Sequence, residues 1–274
     1  MSIAREVEAF NYRDVVARQF LDEEIPSPSV LPLSEMPSEC TEASNALTAA
    51  TTSARSALRW AKMINAMEKA AEGKAPQGRM TASAQDGLRA ALLFSGAGVD
   101  SSLKRLVANS LPSLVSFDPH SSEKLQSFAE ANVTGSNGQV DPSALVRLLL
   151  NKGSSPRDMV VSEWIRSLTA ASAQSAERVQ ELAGAMGVID PQLRKRISPN
   201  KNQQSWTLLE RAFRARNQIA HELDVTKPVA EKRGRFEPIL EYRQLAKVQD
   251  LCFECLEVAQ LIINDVALRL QSRT

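Results

Sequence analysis

Apolar residues recur at helical spacing along most of the chain, and no run alternates with the period of a strand. This pattern predicts helices over residues 2–24, 42–72, 82–111, 120–131, 142–151, 156–168, 172–185, 190–197, 202–223 and 239–271. The aspartate-proline pairs at 141–142 and 190–191 are typical helix starts, and Gly73 and Pro76 are typical of a helix end. The chain is therefore predicted to be an all-α bundle with a long C-terminal helix.

Proline placement sets the N-terminal part of the chain apart. Four prolines fall within the twelve residues 26–37, which favours an extended arm over a helix. The predicted organisation is an acidic N-terminal helix with a Pro-rich arm over 1–42, an additional helix and linker over 43–80, and a helical domain over 81–274.

Cysteine usage and hydropathy indicate the compartment. The three cysteines, Cys40, Cys252 and Cys255, are an odd number in a chain of ordinary size, which argues against a disulfide scaffold. The N-terminus carries acids instead of a signal sequence, and no segment approaches the ~18 to 20 apolar residues of a membrane span. We therefore expect a cytoplasmic protein with no membrane partner.

Cys252 and Cys255 form an isolated CxxC. They lie on a seam of small and apolar residues at alternating spacings of three and four, which indicates core packing instead of redox or zinc chemistry. The seam consists of Leu245, Val248, Cys252, Cys255, Ala259, Ile262 and Val266.

The net charge of +1 excludes a generic basic coat for nucleic acid, but it conceals a polarity along the chain. Residues 1–42 hold three Arg and nine acids, a net charge of −6, whereas residues 194–235 hold eleven Lys or Arg and four acids, a net charge of +7. We hypothesise that the acidic arm covers the basic stretch, in the same chain or in a partner copy.

Two weak motifs have structural interpretations. Gly96 and Gly98 lack the third glycine and the lysine of a nucleotide loop, so they predict close helix packing or a helix break. The chain has only two histidines, which disfavours a multi-histidine metal site. His120 follows Asp118-Pro119 and is interpreted as a helix-entry residue.

The segment 208–222 holds the strongest candidate chemistry. Arg216 and His221 lie five residues apart near a helix end, with Asn217 directly after the arginine. A turn of roughly 100° per residue places Arg216 within an apolar stripe and His221 in a separate polar column. The stripe consists of Leu208, Ala212, Ile219 and Leu223, and the column of Glu210, Arg214, Asn217 and His221.

These three side chains would suffice for metal-free RNA cleavage. An arginine offers a fork of donors to a phosphate, an imidazole exchanges a proton near neutrality, and an asparagine can orient either group. The alternative is structural: a buried Arg216 held by an acid of a neighbouring helix, with His221 as a helix-end cation.

Arg216-Asn217-Gln218-Ile219-Ala220-His221 resembles the Arg-x4–6-His signature of HEPN domains, which are all-α bundles. The block from Leu88 to Leu106, in which the polar Asp100 interrupts the apolar pattern, resembles the long early HEPN helix. The resemblance covers about residues 82–272 and is closest to the HEPN group associated with RNA-repair ligases and phosphatases. It leaves residues 1–80 unexplained.

The resemblance implies a metal-independent endoribonuclease without cofactor, of the kind that acts as a toxin or antiviral defence effector. Arg216 would hold the phosphate, His221 would act as acid and base, and Asn217 would orient them. The implied partners are RNA, a second copy that completes a composite active site, and optionally an antitoxin or regulatory protein. The divergence of roughly 140° between Arg216 and His221 on an ideal helix also favours two copies.

RNA contacts are predicted for the nearby cations Arg211, Arg214, Lys227, Lys232, Arg233 and Arg235. Leu223 occupies the position where HEPN toxins silenced by a nucleotidyltransferase antitoxin carry tyrosine, which argues against that form of regulation. Two other functions stay open at this point: a non-catalytic HEPN module that binds RNA, a nucleotide or a protein, and a structural helical adaptor.

Overall fold

The structure is a computed structural model that describes residues 25–75, 77–134, 141–143, 146, 155–199, 206–225 and 240–273. Within these ranges eight helices are described from end to end and no strand is present, and a β-bridge joins Val225 to Leu240. The helices are α1 (Ser38–Ala71), α2 (Ala82–Phe117), α3 (Pro119–Val133), α4 (Pro156–Ala170), α5 (Ala176–Ala185), α6 (Pro191–Ile197), α7 (Leu208–Glu222) and α8 (Leu245–Gln271). The predicted all-α class is confirmed.

Local capping chemistry explains four helix starts. The helices α3 to α6 begin after Asp118, Ser155, Ser175 and Asp190, whose side chains each accept a hydrogen bond from a backbone N–H of the first turn. Proline follows the cap in α3, α4 and α6, where its missing N–H costs no hydrogen bond. The interpretation of His120 as a helix-entry residue is confirmed, because it is the second residue of α3.

The predicted bounds were wrong at three helices. Helix α7 begins at Leu208 instead of residue 202, since residues 206–207 are not helical. Helix α2 continues through Pro112 to Phe117, six residues beyond the predicted end, because Leu114 and Val115 bury their side chains after the proline. Helix α8 begins at Leu245 instead of residue 239, since the backbone of Arg243 is hydrogen-bonded to the Gln85 side chain. The helix predicted over 2–24 and most of that over 142–151 lie outside the described residues.

The chain divides into two compact units, each assembled from separated segments. Unit 1 combines Met1–Ser29, Thr48–Gly98 and Leu208–Glu257, and unit 2 combines Val30–Leu47, Val99–Thr207 and Val258–Thr274. The segments predicted from the sequence, 1–42, 43–80 and 81–274, are each continuous along the chain. Composition can mark linkers, but it carries no information on which distant segments pack together.

The core of unit 1 draws on α1, α2, α7 and α8, and includes Ile25 from the Pro-rich arm. Ile25 is buried, and its carbonyl accepts a hydrogen bond of 3.1 Å from Nη2 of Arg55. The cluster comprises Ile25, Ala57, Leu58, Ala61, Leu88, Ala91, Leu92, Ala215, Ile219, Val248 and Cys252. The chain at residue 25, where the Pro-rich arm begins, is therefore part of the core of unit 1.

The predicted seam of α8 is confirmed as core. Six of its seven residues are buried, and Leu245 at the helix start is half-buried. All three cysteines are free and buried. Burial raises the pKa of the Cys40 and Cys252 thiols to about 12 and that of Cys255 well above its usual range, which suits inert packing residues.

Glycines allow close helix packing within unit 1. A Cβ at position 98 would lie 2.3 Å from Cβ of Ala50, and one at position 87 would lie 2.9 Å from Cβ of Ala61. The packing interpretation of Gly98 is thus confirmed, and the alternative of a helix break is wrong because α2 runs through both Gly96 and Gly98.

In unit 2, α3 packs against α4 and α5, and α5 contacts α6. The Phe128 and Trp164 rings lie 6.1 Å apart between α3 and α4. An ion pair joins the buried Asp118 at the start of α3 to the half-buried Arg269 of α8 at 3.3 Å. None of the helices within the described ranges is long and apolar enough to cross a membrane.

Candidate functional site

The three predicted catalytic residues lie on α7, within unit 1. Arg216 and Asn217 are half-buried, whereas His221 is exposed in the last turn of the helix. The His221 side chain is exposed to solvent, and no hydrogen bond joins its imidazole to a described residue.

Arg216 has no carboxylate partner among the described residues. Its Nη1 donates a hydrogen bond of 3.0 Å to Oδ1 of Asn217, and its Nε is buried without a hydrogen-bond partner. The acid that the structural alternative requires on a neighbouring helix is not found in the described part of the chain. The hydrogen-bond partner of Arg216, Asn217, is neutral, so the guanidinium retains capacity for an anion.

Gly96 of α2 makes room for the arginine. A Cβ at position 96 would lie 3.0 Å from Cγ, 3.5 Å from Cδ and 3.6 Å from Nε of Arg216. The aliphatic stem of Arg216 therefore passes directly over the backbone of α2. The Arg216–Asn217 hydrogen bond and the Gly96 contact together define the position of the guanidinium.

The predicted apolar stripe of α7 was right at its centre and wrong at its ends. Leu208 is 44% exposed because it is the first residue of the helix, and Leu223 is 76% exposed because it lies beyond the helix end. Arg216 still lies on the buried side of the helix, which consists of Leu209, Ala212, Phe213, Ala215 and Ile219.

Helix α7 ends in an unusual turn. Leu223 and Asp224 have φ angles of 51° and 62°, the left-handed region that glycine normally occupies. Each such residue costs roughly 1 kcal/mol or more, so tertiary contacts must hold the turn. The backbone N–H of Asp224 donates to the carbonyl of Gln218 at 3.2 Å, which ties the turn to the helix.

A buried carboxylate holds this turn. Asp224 is fully buried, and its Oδ2 accepts hydrogen bonds from Nε of Arg89 at 3.0 Å and from Nε of Arg243 at 2.8 Å. Its Oδ1 accepts a further hydrogen bond from Nη2 of Arg243. We call Arg89, Asp224 and Arg243 the Asp224 clamp.

Further hydrogen bonds extend the Asp224 clamp to the backbone. Gln85 of α2 accepts from the N–H of Arg243 at 2.8 Å and donates to its carbonyl at 2.9 Å. Arg89 donates to the carbonyl of Glu241 at 3.2 Å, and the N–H of Glu241 donates to the carbonyl of Asp224 at 2.8 Å. The chain just after α7 and the chain just before α8 are thus held against α2.

Sequence reasoning missed the Asp224 clamp. The available signal was Arg89, a charged residue between the apolar Leu88 and Ala91 on a buried face of α2. Such an arginine requires a partner. Because Arg89 and Asp224 are 135 residues apart, no local pattern could identify that partner.

The predicted RNA-binding cations divide into two groups. Arg211 and Arg214 are exposed on α7. The other four, Lys227, Lys232, Arg233 and Arg235, lie outside the described residues.

His120 is exposed in unit 2, at a cleft of about 620 Å³ with a partly apolar lining that includes Trp164 and Leu168. No group of three or more His, Cys, Asp or Glu in the described ranges could hold a metal ion.

Comparison of the chain with protein-family models, with curated proteins and with solved structures found no match.

Proposed function

We propose that this protein is a metal-independent endoribonuclease of the HEPN type. The observation that carries the proposal is Arg216, a half-buried arginine whose Nε has no hydrogen-bond partner and which pairs with no described carboxylate. A guanidinium that no described carboxylate neutralises keeps its charge and its fork of donors for a phosphate. The exposed His221 in the last turn of the same helix supplies an acid and base.

The proposed reaction needs only groups of the RNA and of the protein. The ribose 2′-oxygen attacks the adjacent phosphorus, the bond to the 5′-oxygen of the next nucleotide breaks, and a 2′,3′-cyclic phosphate forms. The 2′-OH gives up its proton to a base, and an acid protonates the leaving 5′-oxygen. Arg216 holds the phosphate, Asn217 orients Arg216 through their hydrogen bond, and His221 transfers protons.

Two copies would complete the site. Arg216 is half-buried against α2 and His221 is exposed, which supports the divergence of the two side chains on one helix. In the proposed homodimer, Arg216 and His221 of one copy face those of the other. The exposed Arg211 and Arg214 would contact the RNA backbone beside this site.

The structural alternative has less support. It requires an ion pair between Arg216 and an acid of a neighbouring helix, and the described residues provide none. The proposed biological role is that of a cytoplasmic toxin or antiviral defence effector, with an antitoxin or regulatory protein as a further partner.

The experiment is cleavage of labelled RNA by the full chain in excess EDTA. Arg216→Ala and His221→Ala should each abolish cleavage while the helical circular dichroism is retained. The 5′ product of the wild-type reaction should end in a 2′,3′-cyclic phosphate, and the 3′ product should begin with a 5′-hydroxyl group. The chain offers a matched control, because His120 is its other histidine and is also exposed. His120→Ala should cleave like the wild type.

Two results would contradict the proposal. One is a wild-type protein that cuts none of a broad set of cellular RNAs. The other is equal loss of activity in His120→Ala and His221→Ala. Expression of the wild type, but not of His221→Ala, should also arrest growth if the protein is a toxin.

A further inference from the structure

The turn after α7 places two strained residues beside the proposed acid and base. Leu223 and Asp224, both left-handed and neither a glycine, follow His221 at the second and third positions. A chain under no other constraint would place glycine there. The side chain at position 224 must therefore contribute something that glycine cannot, and that contribution is the carboxylate of the Asp224 clamp.

The contacts of the Asp224 clamp converge on the last turn of α7. Three hydrogen bonds from two arginines hold the carboxylate. Arg89 lies on α2, and Arg243 lies two positions before the first residue of α8. The backbone of the same aspartate is hydrogen-bonded to Gln218 and to Glu241. The turn that carries His221 is thereby fixed at its end by groups from two other parts of unit 1.

Different parts of the structure fix the positions of Arg216 and His221. The stem of Arg216 rests on Gly96 in the middle of α2. The His221 side chain is exposed, and no hydrogen bond to a described residue sets its direction. Its position relative to Arg216 depends on the backbone of the last helical turn, and helix ends fray unless they are held.

We propose that the Asp224 clamp is a positioning device for His221, which keeps the last turn of α7 helical and so holds the imidazole in register with Arg216. This inference rests on the proposed function. Asp224 is fully buried and touches no substrate, so it is a positioning residue and not a catalytic residue. Arg89 and Arg243 act through Asp224.

The test compares two buried carboxylates. Asp224→Asn weakens the Asp224 clamp with little change in volume, and Arg243→Lys keeps the charge but loses the fork that makes two of the three hydrogen bonds. The matched control is Asp118→Asn, because Asp118 is also a buried carboxylate that pairs with an arginine, Arg269, but belongs to unit 2. Should Asp224→Asn fail to fold, Arg243→Lys carries the test.

Two readouts are required. The first is hydrogen exchange of the α7 amides, which should accelerate at least about tenfold over 218–222 in the clamp variants and stay at the wild-type rate in Asp118→Asn. The second is RNA cleavage, in which kcat should fall at least about tenfold in the clamp variants with KM changed less than about threefold.

The outcomes separate the two proposals. If the wild type cleaves RNA and a clamp variant with accelerated exchange keeps the wild-type kcat, the positioning role is overturned and the ribonuclease stands. An equal fall of kcat in Asp118→Asn would also overturn it, because the effect would then follow global stability. If the wild type cleaves no RNA, the ribonuclease proposal fails. Unchanged exchange over 218–222 would then overturn the positioning role as well.

Discussion

The stem of Arg216 lies directly over Gly96, close enough that a Cβ at position 96 would come within 3.0 Å of Cγ. Such a distance is tighter than ordinary van der Waals contact, so any other residue at position 96 must displace the arginine or the helix. Gly96 of α2 and Arg216 of α7 are therefore in direct contact, and neither can change without affecting the other. The unpartnered Nε of Arg216 lies beside this contact, 3.6 Å from the position of that Cβ.

Gly96→Ala should lower RNA cleavage more than it lowers stability. The added methyl group displaces the Arg216 stem by a few tenths of an ångström, and misplacement of a catalytic group costs about tenfold or more in rate. The free energy of unfolding should change by less than about 1 kcal/mol, since alanine favours a helix interior over glycine. Cleavage rates and urea unfolding measure the two effects.

The control for this prediction is Gly184→Ala in α5, where a Cβ would meet nothing within 4 Å. It should raise the free energy of unfolding by about 0.5–1 kcal/mol without changing cleavage. Full activity in Gly96→Ala would show that the arginine does not depend on this contact.

Arg216→Met should change the free energy of unfolding little, whereas Asp224→Ala should destabilise the protein strongly. Methionine keeps much of the stem volume and removes the unsatisfied Nε, so the free energy of unfolding should fall by less than about 1 kcal/mol. Asp224→Ala removes the buried carboxylate from two guanidinium groups, of which Arg89 keeps the exposed Asp86 at 2.8 Å, and should cost about 3–5 kcal/mol. Urea denaturation compares the two. A loss of several kcal/mol in Arg216→Met would favour the structural adaptor.

Asp265 should make stability fall as pH rises. Burial raises the pKa of its carboxyl group above the usual range, while the hydrogen bond from Nε of Arg269 at 2.9 Å acts in the opposite direction. A folded state with the higher pKa binds the proton more tightly, so this stabilisation is present below the ordinary pKa and is lost as pH rises through the folded one. The unfolding free energy of the wild type minus that of Asp265→Asn should therefore decrease as pH rises. A difference that grows with pH would mean that Arg269 outweighs burial.

The three cysteines should resist thiol reagents in the native protein. Because burial raises the pKa of Cys40 and Cys252 to about 12, only about one thiol in ten thousand is ionised at pH 8, and the thiolate is the reactive form. Labelling with a chromogenic disulfide should be negligible in buffer and complete in urea. Rapid native labelling of the pair Cys252 and Cys255 would instead indicate a redox or metal-binding CxxC.

Removal of residues 1–24 should raise the affinity for RNA if the acidic arm covers the basic stretch. These residues hold three Arg and six acids, so their loss removes negative charge, and the gain should be a few-fold at low salt and smaller at high salt. Truncation should stop there, because Ile25 belongs to the core of unit 1 and Cys40 is buried in α1. A matched variant with the six acids changed to amides should behave alike. Unchanged RNA binding in both variants would contradict the arm hypothesis.

Much of the local architecture followed from the amino-acid sequence by itself. The all-α class, the helix starts at Asp190 and near His120, the buried seam with Cys252 and Cys255, and the location of Arg216 and His221 on one helix were all predicted. These features depend on capping residues and on apolar periodicity, which act over one or two helical turns. Because these interactions join residues that are close in the sequence, they can be inferred from the sequence.

Only the tertiary structure decided what each helix face meets. Periodicity placed Arg216 on the buried side of α7, but it could not show that the stem rests on Gly96 and that no described acid pairs with it. The partner of Arg89, Asp224, is 135 residues away, and the left-handed turn at Leu223 persists because that long-range clamp holds it. A repeat of apolar residues specifies a face to be buried, whereas the identity of its partner depends on the packing of the entire unit.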